Sequence, residues 1–203
     1  MDDNSQMTLA TYNKIAKDWH KANASVHFWD KYHGKFKKLL PKGKILELGS
    51  GAGRDSFWFL ENNYEYLGID ASESMIKLAK ENNPQASFEV KNFSEIGSLG
   101  KKFNGFWAAA SLVHTQKENI GKILTDIKKI LETAAIGFIS LKKGIGEKNE
   151  IWKSSGLTRF FAYYQLDEFN KILLESGFKV LEAGEYVSSK DSSTVWLTFF
   201  VTI

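Results

Sequence analysis

The chain contains no cysteine, which excludes disulfides, zinc–thiolate centres and a thiol nucleophile. A cytoplasmic setting and no metal are the expectations that go with it. Only two prolines, Pro41 and Pro84, are present, so little of the chain can serve as stiff linker. No apolar run approaches the ~20 residues that a bilayer-spanning helix needs, and no membrane partner is expected. The polar, acidic start MDDNSQMT does not read as a secretory signal. A dense basic stripe is missing too. The net charge is only +3, and the short clusters KFKK (35–38) and DIKKI (126–130) read as solvated helix faces, so no nucleic-acid partner is expected. Arginine is the scarcest cation: of 27 basic side chains, only Arg54 and Arg159 are arginine. A lysine-rich chain either reserves arginine for planar, bidentate contacts or places two by chance.

What is present suits one domain spanning residues 1–203, with a single sizeable core. Residues 8–22 carry Tyr12, Ile15, Ala16 and Trp19 on one helical stripe, and a second helix over 28–40 is stopped by Pro41. After this helical region, 1–40, strands and helices alternate. Strands are expected at 42–49, 64–70, 86–90, 103–111 and 134–144, with helices at 54–63, 72–83 and 117–132. Ser72 caps the second of those helices. The stretch from 142 to 165 reads as irregular. A helix over 166–178, ended by Gly177, leads to two β-rich runs joined by KDSS (190–193), which should pair antiparallel. The alternation predicts an α/β fold, a parallel sheet with helices on both faces.

The segment ILELGSGAGRD (45–55) places a glycine-rich turn between a buried strand and a helix, where backbone N–H groups face a ligand at the carboxyl edge of the sheet. A Walker loop is excluded, because no GxxxxGK[ST] occurs. The dinucleotide pattern GxGxxG is not met either: the third glycine comes one residue early, and Arg54 occupies the sixth position. Glu47 just before the turn would repel a pyrophosphate and favour a cation. Asp70 ends the second strand, twenty-one residues after Gly49, where an acid commonly holds both hydroxyls of a ribose. A ligand with a ribose, positive charge and no phosphate fits these constraints, and S-adenosylmethionine is such a ligand. A nicotinamide enzyme with an unusual turn, or a fold of this kind with a relic loop, is the competing reading.

These residues resemble the class I S-adenosylmethionine-dependent methyltransferases. The first motif of that family, acid-x-G-x-G-x-G, matches Glu47, Gly49, Gly51 and Gly53, its ribose-binding acid matches Asp70, and FNGFWAAASLVH (103–114) looks like its fourth-strand motif, with Asn104 where an aspartate is usual. The resemblance covers about residues 10–203. It implies a Rossmann-like, seven-stranded, mostly parallel sheet with an antiparallel last strand. It also implies that the cofactor lies against Glu47, Gly49, Ser50, Gly51, Gly53 and Arg54. Asp70 would hold the ribose, Ala71 and Met75 would lie beside the adenine, and the Ala108 backbone would accept from the ammonium. At the usual position of an adenine-contacting aspartate the chain offers Asn92, followed by Phe93.

The implied activity is methyl transfer to a small-molecule acceptor by in-line displacement. The alternatives are a methyltransferase acting on tRNA or another macromolecule, and a non-catalytic S-adenosylmethionine-binding protein. His114, after the fourth strand, is either a general base or a structural histidine. The segment 142–166 is expected to form a lid in which Arg159 clamps an anion beside Tyr163, or merely packs with the aromatics. Tyr12 and Trp19 either close over the ligand or pack a helix face. The sequence carries no statement on oligomeric state.

Overall fold

The structure is a computed structural model that describes residues 2–23, 29–152, 154–188 and 191–203. The expected helix start at Phe28 and the Ser189 and Lys190 positions of the last connection lie outside the described residues.

Helix α1 (Asp3–Asn23) buries Thr8, Thr11, Ile15 and Ala16, a stripe at helical spacing, and begins five residues before the expected start. Helix α2 (Asp30–Leu39) buries Tyr32, His33 and Phe36. Strand β1 (Lys44–Leu48) follows, buried from Ile45 onward, as a central parallel strand requires. Then come α3 (Ser56–Glu61), β2 (Glu65–Asp70), α4 (Glu73–Asn82) and β3 (Ser87–Val90). The Ser72 hydroxyl caps α4 by accepting from the Met75 N–H at 3.1 Å. A 3₁₀ turn over Phe93–Leu99 leads to β4 (Phe103–Ala109), and a second one, Leu112–His114, leads to α5 (Lys117–Lys129). Ile120, Ile123, Leu124 and Ile127 form the buried stripe of α5.

Strand β5 (Leu131–Lys142) runs into the segment expected to be irregular. That expectation is corrected: β6 (Glu147–Trp152) and β7 (Leu157–Ala162) form an antiparallel hairpin separate from the main sheet. Helix α6 (Leu166–Glu175), β8 (Lys179–Val187) and β9 (Val195–Thr202) complete the chain.

The main sheet has seven strands in the order β3-β2-β1-β4-β5-β9-β8. β9 pairs antiparallel with both β5 and β8, while the pairs from β3 through β5 are parallel. The sheet is therefore mostly parallel with a reversed last strand, as expected. The strand order reverses between β1 and β4, so the loops leaving these two strands flank a crevice at the carboxyl edge. One hydrophobic cluster joins β4, α5, α6 and the buried β7 residues Phe160–Ala162, and a second packs α2, α3 and α4 against the other face.

Helix α1 and the hairpin cover the crevice together. The Thr11 hydroxyl donates to the Thr158 carbonyl at 2.6 Å, and the Phe160 N–H donates to the Thr8 hydroxyl at 2.9 Å. The other side of α1 reaches α4, where Asn13 Oδ1 accepts from the Ser72 hydroxyl at 2.7 Å.

Candidate active site

The glycine turn is shaped by its backbone. Gly49, Gly51 and Gly53 have φ of 71°, 53° and 81°, a region that costs an L-residue roughly 1–2 kcal/mol. The Gly49 and Ser50 N–H groups donate to the Ile69 carbonyl at 2.8 and 3.0 Å, which ties the turn to the end of β2. The three glycines do different work. A Cβ on Gly49 would lie 2.4 Å from Ser111 Cβ, and one on Gly53 would lie 2.8 Å from the Phe88 ring. A Cβ on Gly51 would meet only the Trp19 ring, at 3.5 Å. The Cβ direction of Gly53 is thus a packing direction, toward Phe88 and Ala79, and Gly53 is not among the residues that line the cavity.

Asp70 Oδ2 accepts from the Gly51 N–H at 3.0 Å and Oδ1 from the Ser72 N–H at 2.8 Å. Burial raises its pKa, and these two donors oppose the rise. Each oxygen keeps a further acceptor site. Beneath the turn sits an acid pair. Asp55 receives a bidentate contact from Arg54, Nε to Oδ1 at 2.9 Å and Nη2 to Oδ2 at 3.0 Å, together with the Trp107 indole N–H at 3.1 Å. Burial alone would raise the Asp55 pKa, but the guanidinium holds it below the ordinary value. Glu47 accepts from the Tyr66 hydroxyl, and its pKa is pushed well up by burial and then by the Asp55 charge. Asp55 and Tyr66 were not foreseen. Asp55 stands next to the motif in sequence, but its partner Trp107 is 52 residues away.

A cavity of about 660 Å³ opens over this floor. Its walls include Glu47, Gly49, Ser50, Gly51 and Arg54 from the turn, and Asp70, Ala71 and Met75 from the end of β2 and the start of α4. Asn92 and Phe93 line one end, and Tyr12, Trp19, His114 and Arg159 the roof. Two expected residues are elsewhere. Ala108 is wholly buried in the β4–β5 ladder opposite Ile139, and it is Ala109 and Ala110 that reach the cavity. Tyr163 is not on the cavity wall: its hydroxyl donates to Glu150. The Asn92 carbonyl oxygen is engaged as a cap, accepting from the Ser94 N–H at 3.0 Å.

The roof is a hydrogen-bonded chain. Arg159 Nη1 donates to the Tyr12 oxygen at 3.1 Å, and Tyr12 and His114 Nε2 are 2.8 Å apart. His114 Nδ1 is 2.7 Å from the Phe160 carbonyl, which can only accept, so Nδ1 carries the proton and Nε2 accepts from Tyr12. Burial pushes the His114 pKa down to about 3. The ring is neutral and both nitrogens are engaged, so His114 offers no free lone pair to an acceptor. The polar atom at this place is the oxygen of Tyr12, a residue expected either to close over the ligand or to pack a helix face.

The residues present fit S-adenosylmethionine. Ser50 and Ser111 are cavity-wall residues whose buried hydroxyls have no hydrogen-bond partner, an arrangement that a polar ligand would complete. The Asp70 acceptor sites suit a ribose diol, and the acids below suit a cationic end.

The methyltransferase domain family matches residues 45–134, from β1 into β5. The release factor glutamine methyltransferase of Fusobacterium nucleatum is 28% identical over 148 residues, 68% of this chain and 42% of the relative. The chain thus spans less than half the length of that relative. Among solved structures, the 1,6-didemethyltoxoflavin-N1-methyltransferase of Burkholderia thailandensis superposes with a TM-score of 0.77 at 16% identity, covering 97% of this chain and 87% of that one; it holds 1,6-didemethyltoxoflavin and S-adenosylhomocysteine. The magnesium protoporphyrin IX methyltransferase of Synechocystis, with bound S-adenosylmethionine, gives 0.72 at 15% identity, covering 100% and 98%. The fold is that of the class I S-adenosylmethionine-dependent methyltransferases. Within it, residues 45–134 match the methyltransferase domain family, and this segment carries both the glycine turn and Asp70.

Proposed function

We propose that the protein is an S-adenosylmethionine-dependent methyltransferase acting on a small-molecule acceptor in the cytoplasm, with residues 1–40 as cap and 142–166 as lid of one domain. The observation that carries this reading is the pairing of the Gly51 N–H with Asp70 on the floor of a cavity roofed by α1 and the β6–β7 hairpin. When bound, S-adenosylmethionine supplies a methyl group on a positively charged sulfur: the S–CH₃ bond breaks as the acceptor's bond to carbon forms, the sulfur keeps the electron pair, and any acceptor proton leaves to water. Asp70 accepts from the ribose hydroxyls through its free lone pairs. Glu47 and Asp55 stand at the amino-acid end, where Asp55 is held ionised by Arg54 and the Ser50 and Ser111 hydroxyls find partners. Phe93 and Met75 flank the adenine. Tyr12 and Arg159 orient the acceptor, and orientation is the main requirement of an in-line displacement from a good leaving group.

A macromolecular acceptor is the second reading, favoured by the likeness to a release factor methyltransferase. The roof over the cavity favours the small one. The test is to incubate the protein with S-adenosylmethionine and either the small-molecule or the macromolecular fraction of a bacterial extract, and to measure S-adenosylhomocysteine by mass spectrometry. Product with the small-molecule fraction is expected. Product with the macromolecular fraction alone would overturn the assignment.

A further inference from the structure

The two arginines are in opposite electrostatic situations. Arg54 is neutralised in place by Asp55. Among the described residues Arg159 forms no ion pair with a carboxylate, its hydrogen bond goes to the Tyr12 phenol, and its buried Nε has no partner. The acid nearest in the hairpin, Glu150, lies directly across the β6–β7 ladder but is already engaged by Lys142 at 2.8 Å and by the Tyr163 hydroxyl. The guanidinium sits 4.9 Å from the Trp152 ring centroid, 5.1 Å from Phe161 and 5.5 Å from Tyr12. A half-buried guanidinium boxed by three rings keeps its flat shape and its fork of donors.

The cavity wall is charged at both ends. Its floor carries Glu47, Asp55 and Asp70 with Arg54, and its roof carries Arg159 and Lys142; Asp2, Glu118 and Lys122 also line it, and Glu150, off the wall, pairs with Lys142. A cationic methyl donor accounts for the acidic floor, but it does not account for an unpaired arginine overhead. The wall between them is apolar and flat-ringed, with Trp19, Trp29, Phe161 and Trp196 facing the cavity. Trp19 and Arg159 also line a second depression shared with Trp152, which opens at the end of α1.

We propose that the methyl acceptor is an aromatic carboxylate: its carboxylate seats on the free donors of Arg159, its ring lies among the roof aromatics, and its nucleophilic atom is directed toward the floor. The inference rests on the methyl-transfer reading for what lies on that floor. The geometry needs a carboxylate because a planar two-oxygen anion matches the Nε and Nη fork. A neutral amide of the same shape offers the fork one acceptor instead of two and turns an N–H donor against the remaining guanidinium N–H.

The experiment uses the full chain and matched probes: 4-hydroxybenzoate against 4-hydroxybenzamide, and anthranilate against anthranilamide. Affinity is measured by calorimetry with S-adenosylhomocysteine saturating and again without it. The expected result is that each carboxylate binds at least tenfold tighter than its amide. In Arg159→Gln that preference should vanish, and in Arg159→Lys it should be partly kept, while both variants keep S-adenosylhomocysteine affinity within about twofold as the check on folding. Equal binding of acid and amide, a preference that survives in Arg159→Gln, or no binding of any probe to protein that does bind S-adenosylhomocysteine would overturn the proposal and leave the methyl-transfer reading standing. Failure to bind S-adenosylhomocysteine would instead strike at that reading, and the Arg159 preference would still be read from the arm without it.

Discussion

At the residue scale, the roof histidine is the sharpest case of a side chain whose identity suggested one role and whose surroundings give another. His114 follows β4 at the edge where the methyl group is expected, which made it a candidate base. Its Nδ1–H is held by Phe160 and its Nε2 lone pair is taken by Tyr12, so it fixes the Tyr12 hydroxyl rather than meeting an acceptor. A pKa pushed down to about 3 from an ordinary 6.5 makes a testable statement about stability. Protonation favours the unfolded chain, so the contribution of the neutral ring is complete above about pH 6.5 and is lost as pH falls toward 3. Between pH 6 and pH 4 the wild type should lose about 1.4 kcal/mol per pH unit more than His114→Gln, the effect of one extra proton on unfolding. Urea unfolding at four pH values in that window measures it. Parallel slopes for the two proteins would contradict the buried neutral ring. The sequence named His114, Tyr12 and Arg159 separately. It could not show their order, because the bonds that link them span 102 and 147 residues.

At the scale of elements, the glycine turn divides into positions for packing and a position for the ligand. A Cβ on Gly53 would clash with the Phe88 ring at 2.8 Å and press on Ala79 at 3.2 Å, whereas one on Gly51 would meet only the Trp19 ring at ordinary contact distance. Gly53→Val should therefore lower stability by several kcal/mol through overpacking. Gly51→Val should cost about 1–2 kcal/mol for its backbone conformation and abolish S-adenosylhomocysteine binding. Thermal unfolding and calorimetry on both variants separate the two effects, and equal stability losses in the pair would show the division to be wrong. The turn was legible because its signal is local: a buried strand, three glycines and a following helix. The β6–β7 hairpin was not. Its outer strand, EKNEIW, is mostly polar, and Ile151 is 65% exposed, so no alternation marks it. Its inner strand buries Phe160, Phe161 and Ala162 in succession, and its backbone edge is held by α1 through the Thr8 and Thr11 hydroxyls. At the end of β4 the cavity wall is formed by Ala109 and Ala110, one and two positions after the Ala108 named from the motif.

At the scale of the whole molecule, the fold supplies a crevice where the strand order reverses, and the chain adds a cap and a hairpin that turn the crevice into a chamber with Glu47, Asp55 and Asp70 on its floor and Arg159 in its roof. The seven-stranded order with its reversed last strand was readable from the alternation of strands and helices together with the resemblance. The floor was readable from Glu47 and Asp70. Its acid pair with Arg54 and Tyr66, and the roof above it, exist only once distant segments meet. The measurement that bears most directly on this account is a calorimetric titration of the full chain with S-adenosylhomocysteine, with Asp70→Ala run beside it. The account predicts one site per chain. Asp70→Ala should bind about ten- to a hundredfold more weakly, the loss of two ribose hydrogen bonds at roughly 1–3 kcal/mol in sum. No binding to the wild type, or equal affinity in the variant, would contradict the assignment of the cavity.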